Sequence, residues 1–268
     1  MRILTVTALF PSVAAPTRGV FIRERMKAVA KLGAEVRVIA PVPHVPPGSL
    51  GNRYASFRDT PDEEVIDGLR VVHPRYWMLP KVGMYIQERS YARGIRAAVA
   101  DAVREFQPDL IDAHYLYPDG CAVARVAAEH GIPFAVSARG SDVKLLGTIA
   151  FTKKRIHAML EQAALVISVS ADLRDNIRSI IEWPGDVAVI PNGIDPEKFH
   201  IRPREEACEQ LKIPSDQRRV VCVGHLVEEH RQELLVRGLA DEAAPSDLHV
   251  YLVGDGPEHG RITELART

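Results

Sequence analysis

Short apolar, β-branched runs of strand length alternate along this chain with longer stretches of helical period, which is the pattern of a parallel sheet covered by helices. The first run, residues 3–7, leads through a Pro/Gly-containing loop into residues 21–32. There positions 22, 26, 29, 30 and 32 are apolar, charges fall between them, and Gly33 is the stop. Residues 35–40 follow as a second strand halted by Pro41, completing a β-α-β unit. From Pro41 to about Asp67, with four prolines in the first seven residues, the chain reads as a long surface loop. The spacing then predicts a short strand at 71–72, a long helix over 86–106, a strand over 109–113, a helix over 119–130 and a strand over 134–137. A helix end at Glu161 and a strand over 165–169 come next. Ser170 is the expected N-cap of a helix over 171–181, and residues 187–190 form the last strand of this half.

Pro191-Asn192-Gly193-Ile194-Asp195-Pro196 is a tight turn signal, and the polar stretch to Gln217 reads as an interdomain crossing. A new β-α-β starts at Val220, with a helix over 233–239, a strand over 250–253, Gly254-Asp255-Gly256-Pro257 and one short helix. The expected organisation is a Rossmann-like domain over 1–200 and a partial second domain over 201–268. The second has 68 residues, around half of what a doubly wound α/β domain needs.

Composition removes whole classes of function. The chain has 268 residues with 34 Lys+Arg against 35 Asp+Glu, so no global basic field holds nucleic acid or an acidic membrane, and any anion must be bound locally. Cys121, Cys208 and Cys222 are far apart, with no C-x-x-C pair or nearby His to suggest zinc; a reducing, cytoplasmic setting fits this cysteine usage. The opening apolar run ends at Pro11 without a small-residue cleavage site and reads as a strand, not a signal peptide. No window approaches the roughly 20 consecutive apolar residues of a helical membrane span.

Ligands of open α/β sheets bind beyond the carboxyl ends of the strands. The residues there are His114, Arg139-Gly140-Ser141-Asp142, Ser170 and Asn192-Gly193, all polar or glycine and all expected along one rim. The first loop, residues 11–20, precedes a helix whose free N–H groups suit an anion or a sugar, but it lacks both G-x-G-x-x-G and the P-loop pattern. A plainer reading keeps Gly19 as a loop glycine, bonds His114 to a backbone carbonyl and pairs Arg139 with Asp142.

The chain resembles a known family in its ordered motifs. They are Phe10-Pro11 with Gly19-Val20-Phe21-Ile22-Arg23-Glu24, Pro108-Asp109-Leu110-Ile111-Asp112-Ala113-His114, Arg139-Gly140-Ser141-Asp142, Ile190-Pro191-Asn192-Gly193-Ile194-Asp195 with Phe199, and Val253-Gly254-Asp255-Gly256-Pro257. Together they are similar to the group-1 (family 4) retaining glycosyltransferases of GT-B fold. The N-terminal third is most similar to members that build cell-surface polysaccharides, teichuronic-acid type among them. The resemblance implies two Rossmann-like domains facing a cleft, the first for a sugar or lipid-linked acceptor and the second for a nucleotide-diphosphate sugar. It implies transfer with retention, no metal and no cofactor. By the same resemblance His114 sits by the reacting sugar, and Arg139, Gly140, Asp142 and Asn192 border the acceptor or the domain junction. Gly19 is grouped with them and approaches the donor phosphates or sugar. Gly224, His225, His230, Arg231, Gly254 and Gly256 are implied on the donor side.

Two departures stand out. Gly224-His225-Leu226-Val227-Glu228-Glu229-His230-Arg231 occupies the place of a Gly-Arg-Leu-x-x-x-Lys-Gly pattern whose Arg and Lys hold the diphosphate, so imidazoles stand where permanent cations belong, with Arg231 one place along. The family's Glu-x7-Glu region lies beyond Thr268, and Glu228-Glu229 reads as a solvated first turn rather than a substitute. The competing expectations are therefore a non-catalytic acceptor-binding remnant and, on the same architecture, a nucleotide-sugar epimerase. Residues 76–85 and Lys153-Lys154-Arg155 either rest peripherally on the inner face of a membrane or pack and solvate in the ordinary way.

Overall fold

The computed structural model describes residues 1–44, 57–78, 83–240 and 244–267, in two units, Met1–Asp195 and Pro196–Thr268. The first unit begins with β1 (Arg2–Val6), α1 (Val20–Lys31), β2 (Glu35–Ile39), β3 (Val42–His44), β4 (Glu63–Ile66), β5 (Leu69–Val72), β6 (Arg75–Trp77) and α2 (Gly83–Phe106). It continues with β7 (Leu110–His114), α3 (Cys121–His130), β8 (Phe134–Ala138), α4 (Ser141–Lys144), α5 (Ala150–Leu160), β9 (Leu165–Ser168), α6 (Ala171–Asn176) and β10 (Val187–Val189). One sheet runs β10-β9-β8-β7-β1-β2-β5-β4, parallel throughout except for the edge strand β4, which pairs antiparallel with β5. β3 and β6 form a separate parallel pair.

A parallel sheet needs helices on both faces, and strand alternation sends each residue to one of them. In β1, Leu4 and Val6 join the larger apolar cluster with α2, α3 and α5, whereas Thr5 faces α1, its Oγ1 2.8 Å from Met26 Sδ. On the α1 face, Phe10, Ile22, Met26, Val38 and Val71 make the smaller cluster. α2 buries Glu88, Tyr91, Ala92, Ile95, Val99, Ala102 and Phe106, a stripe at three- and four-residue spacing that fixes it as a helix against the sheet. Fully burying a side chain such as Leu4 or Ile95 contributes about 1.5–3 kcal/mol. No helix among the described residues is long and apolar enough to cross a membrane.

The structure departs from the sequence expectations in two places, the segment 41–67 and the stretch to Gln217. The segment 41–67 is not loop throughout: it carries β3 and β4, the latter closing a hairpin onto β5 through Asp67 and Gly68 at positive φ. Residues 45–56 of that segment lie outside the described residues. The basic run Lys153-Lys154-Arg155 sits inside α5, which ends at the expected Glu161 and whose Thr152, Ile156, Met159 and Leu160 face the core. The supposed crossing to Gln217 contains α7 (Arg204–Leu211). Ser170 does cap α6, its Oγ accepting from the Leu173 N–H at 3.1 Å. The second unit, which α7 opens, continues with β11 (Arg218–Val223), α8 (Glu233–Leu239), β12 (Leu248–Val253) and α9 (His259–Leu265), β11 and β12 pairing in parallel.

Gly94 gives a direct check of how α2 packs. A Cβ there would lie 2.8 Å from Arg75 O and from Tyr76 Cβ. In an open helix Gly→Ala gains about 1 kcal/mol, but overpacking costs about 1–3 kcal/mol. Gly94→Ala is expected to lower the urea midpoint, by up to about 2 kcal/mol of stability; a higher midpoint would show that α2 does not press on β6 as described.

Candidate functional site

Period-two alternation along β7 places Asp112 and His114 on one face at the strand's carboxyl end, and both are buried. Next to them, β8 delivers Ser137 and, just past its end, Arg139. Arg139 donates from Nη2 to His114 Nδ1 at 2.5 Å and from Nη1 to Asn192 Oδ1 at 2.8 Å. Its guanidinium also lies 5.2 Å from the ring centroid of Phe21 in the first turn of α1. An arginine only donates, so Nδ1 is the acceptor and the neutral imidazole carries its proton on Nε2, 3.1 Å from Asp112 Oδ2 but off the hydrogen-bonding line.

Burial pushes the His114 pKa down, and Arg139 and Arg25 add to this against the pull of Asp112, so the ring is neutral at pH 7. Burial also works to raise Asp112, but His114, Arg25 and Arg139 outweigh it and hold the carboxyl below its ordinary range. Burial, with Arg25 nearby, brings Arg139 down to about 10, which leaves it charged. Arg25 Nη1, Asp112 Oδ1, His114 Nε2, Ser137 Oγ and Arg139 Nε are all buried without a hydrogen-bond partner among the described residues. Unmet polar atoms of this kind are rare in folded proteins, and here they gather around one imidazole.

Asp142 is fully buried and faces its own loop. Its carboxylate accepts from the backbone N–H groups of Gly140 at 2.7 Å, Leu116 at 2.9 Å and Arg139 at 3.0 Å, so it fixes the loop from which Arg139 reaches out. The pairing of the Arg139 side chain with Asp142, and of His114 with a backbone carbonyl, is replaced by this arrangement. Gly19 enters α1 at φ 61°, and a Cβ there would lie 2.0 Å from Leu9 O, so the loop closes only on glycine.

The second unit holds the remaining predicted residues at the carboxyl ends of β11 and β12. Gly254 packs so closely on Gly224 that a Cβ would lie 1.9 Å from Gly224 O, and at Gly256 it would lie 2.3 Å from Leu226 O. His225, His230 and Arg231 are exposed, but His230 Nδ1 is engaged with His225 O at 2.8 Å, beside Gln232 Nε2 at 3.0 Å on the same carbonyl. Glu228 and Glu229 lie exposed in a single 3-10 turn. Of the patch at 76–85, residues 79–82 lie outside the described residues, Tyr76 is buried, and Trp77 and Tyr85 are exposed. Arg155 lies over Phe151 and pairs with Glu88 at 2.5 Å.

Sequence reasoning missed Arg25 and Asp119. Arg25 reads as one of many charges on α1. Asp119 reads as a first-turn helix residue, yet it is 2% exposed, and its Oδ1 accepts from Ala8 N–H at 2.6 Å and Tyr91 Oη–H at 3.0 Å. Burial pushes its carboxyl up to about 7 despite those bonds.

Residues 19–198 match Glycosyltransferase Family 4. The chain is 30% identical over 275 residues to a Bacillus subtilis (strain 168) protein named as teichuronic acid biosynthesis glycosyltransferase TuaC, spanning 98% of this chain and 68% of that one. Among solved structures, a sucrose-phosphate synthase from Thermosynechococcus elongatus superposes with a TM-score of 0.71 at 17% identity, covering 100% of this chain and 66% of that one. Anabaena HepE in complex with UDP gives 0.65 at 18% identity, covering 100% and 65%. These likenesses show an α/β fold of GT-B type, and the chain spans about two thirds of each of these proteins.

The Asp119 carboxyl, raised from 3.8 to about 7, ties stability to pH. A raised carboxyl pKa stabilises the fold below the unfolded value, and that contribution is lost as pH rises toward 7, a span worth about 4 kcal/mol. Asp119→Asn keeps the oxygen that accepts both bonds and removes the titration. The melting temperature of Asp119→Asn relative to wild type is expected to climb between pH 5 and pH 8. A constant difference over that interval would show that Asp119 does not titrate there.

Proposed function

This chain belongs to glycosyltransferase family 4, and from that premise we propose that it moves a sugar from a nucleotide-diphosphate sugar to a polysaccharide or glycolipid acceptor, with retention at the anomeric carbon. The observation that carries this reading is the buried Asp112, His114 and Arg139 cluster at the carboxyl ends of β7 and β8, within the matched residues. Two names agree with it: the relative named for teichuronic acid biosynthesis and the neighbour solved with UDP.

In this reading His114 meets the reacting sugar as a neutral, oriented imidazole, and Arg139 and Asn192 face the acceptor from the same rim. Gly19, Gly140 and Asp142 shape that rim through backbone rather than by direct contact. Gly224, His225, His230, Arg231, Gly254 and Gly256 form the donor side, where tightly packed glycines keep side chains out of the turns and Arg231 is an exposed permanent cation. Negative charge grows on the departing diphosphate, so a permanent cation such as Arg231 stabilises the transition state. The reaction so drawn uses neither metal nor cofactor. The work belongs at the cytoplasmic face of a membrane if the acceptor is lipid-linked, and exposed Trp77, Tyr85 and Leu145 supply apolar side chains for a peripheral contact.

Incubation with a panel of UDP- and GDP-sugars and a mixed glycan acceptor is expected to release free nucleotide with at least one donor. His114→Ala and Arg139→Ala should each cut that rate about 100-fold or more. Turnover untouched by either change would remove the roles given to them, and no turnover across the panel would overturn the transferase reading.

A further inference from the structure

Glu88 is buried on α2, its side chain only 5% exposed. A carboxylate taken out of water needs a counter-charge. This one has two. Arg125 of α3 donates from Nε to Glu88 Oε1, and Arg155 of α5 donates from Nη1 to Oε2 at 2.5 Å. One carboxylate against two guanidinium groups leaves a positive charge over, at a point where three helices meet.

The neighbouring groups do not cancel that charge. Glu129 of α3 is held by Arg96, which donates to it from Nε at 2.8 Å and from Nη2 at 2.7 Å. Glu161, just past α5, is exposed and lies 3.7 Å from His157 Nδ1. Burial, with Glu88 nearby, pushes the Cys121 thiol up, so it is neutral and adds nothing to the balance.

A cavity of about 250 Å³ opens over the triad, with Ala124, Met159 and Gln162 among its other walls. That is just under the roughly 300 Å³ at which drug-sized sites begin, so its occupant is small. Arg155 lies deeper, 25% exposed and stacked over Phe151 at 4.5 Å, and Arg125 stands at the mouth, 47% exposed. Each guanidinium uses one N–H on Glu88, and among the described residues neither makes a further hydrogen bond. Nη1 and Nη2 of Arg125 and Nε and Nη2 of Arg155 therefore keep donors for a ligand.

These features select the chemistry of that ligand. A cation would meet like charge, and an uncharged group would leave the surplus charge unanswered. Two guanidinium forks from different helices, spaced by one fixed carboxylate, match an oxyanion, and little ordering remains to be done when it binds. A carboxylate offers two oxygens to the pair, whereas a phosphate monoester offers three and more charge.

We infer that this cavity binds a phosphate monoester, held by the free N–H groups of Arg125 and Arg155, with Glu88 as the base that sets their spacing. The bound anion ties α2, α3 and α5 together. The site uses none of His114, Arg139, Asn192 or the residues of the second unit, so the inference stands apart from the transferase reading.

The test is calorimetric titration of the full chain with inorganic phosphate and with glycerol 3-phosphate at fixed ionic strength, with chloride and acetate as controls. Both phosphates are expected to bind and to raise the melting temperature, and the controls to do neither. Arg125→Gln and Arg155→Gln are each expected to weaken phosphate binding about tenfold or more. Each single change leaves Glu88 one cation, so both variants keep the fold, which a melting curve without phosphate checks. Flotation with vesicles of phosphatidylcholine and phosphatidic acid separates the sources of the group: flotation that both variants lose assigns it to a lipid headgroup, and no flotation beside soluble binding assigns it to a free ester. No binding of either phosphate, acetate binding as tightly, or phosphate binding unmoved in both folded variants overturns the inference.

Discussion

The rim depends on one buried carboxylate that accepts from three backbone N–H groups. Asp142 binds the amides of Leu116, Arg139 and Gly140, joining the turn after β7 to the turn after β8. A carboxylate removed from water costs several kcal/mol unless donors replace the lost hydration, and a cluster of amides aimed at it does so. With both turns fixed, the Arg139 backbone cannot drift, and its fork spans from His114 to Asn192 beyond β10. The guanidinium thus fastens the ends of strands that are distant in sequence, and the imidazole it touches is fixed in tautomer as well as in place.

Asp119 performs the matching task on the other side of β7, joining the end of β1 to α2 through Ala8 and Tyr91. The two acids differ in what surrounds them. Asp142 meets amides on both oxygens, whereas the named bonds of Asp119 fall on one, and its carboxyl is pushed far enough to titrate near neutral pH. The same burial that makes Asp119 useful as a tie therefore makes it the more responsive of the two.

The sheet was legible because β1, β2, β7, β8 and β9 are apolar runs with their own stops, and α2 carries a long unbroken stripe. β3 and β4 were not, because prolines and paired charges on an edge excursion carry no period-two signal; Glu63, in β4, pairs with Arg70 at 2.5 Å. The end of α5 was legible at Glu161, but its extent was not, because its basic residues interrupt a stripe that tertiary packing nonetheless uses. The strand-end rule found His114, Arg139 and Asn192, since it depends only on where strands stop. It could not find Arg25 or Asp119, which act from a helix and a turn and are functional candidates only by virtue of burial. Burial is a property of the whole fold, and a single residue's neighbours in sequence do not state it.

Histidines are prominent in the motifs, yet the charge available to an anion comes from arginines. His114 is held neutral by burial beside two guanidinium groups, one of which occupies its Nδ1. In the second unit His230 commits its Nδ1 to the His225 carbonyl, which leaves Arg231, exposed and at φ 51°, as the permanent cation of that turn. An arginine remains charged across the pH range in which an imidazole switches. Under the proposed function, with His225 and His230 where the family resemblance implies an Arg and a Lys, the burden of holding a diphosphate falls to Arg231, in a turn whose glycines are too tightly packed to admit a side chain. In that proposed role donor affinity depends on the permanent charge of Arg231 and on the close approach of Gly254 to Gly224, so a side chain added at Gly254, which would displace the turn, weakens it.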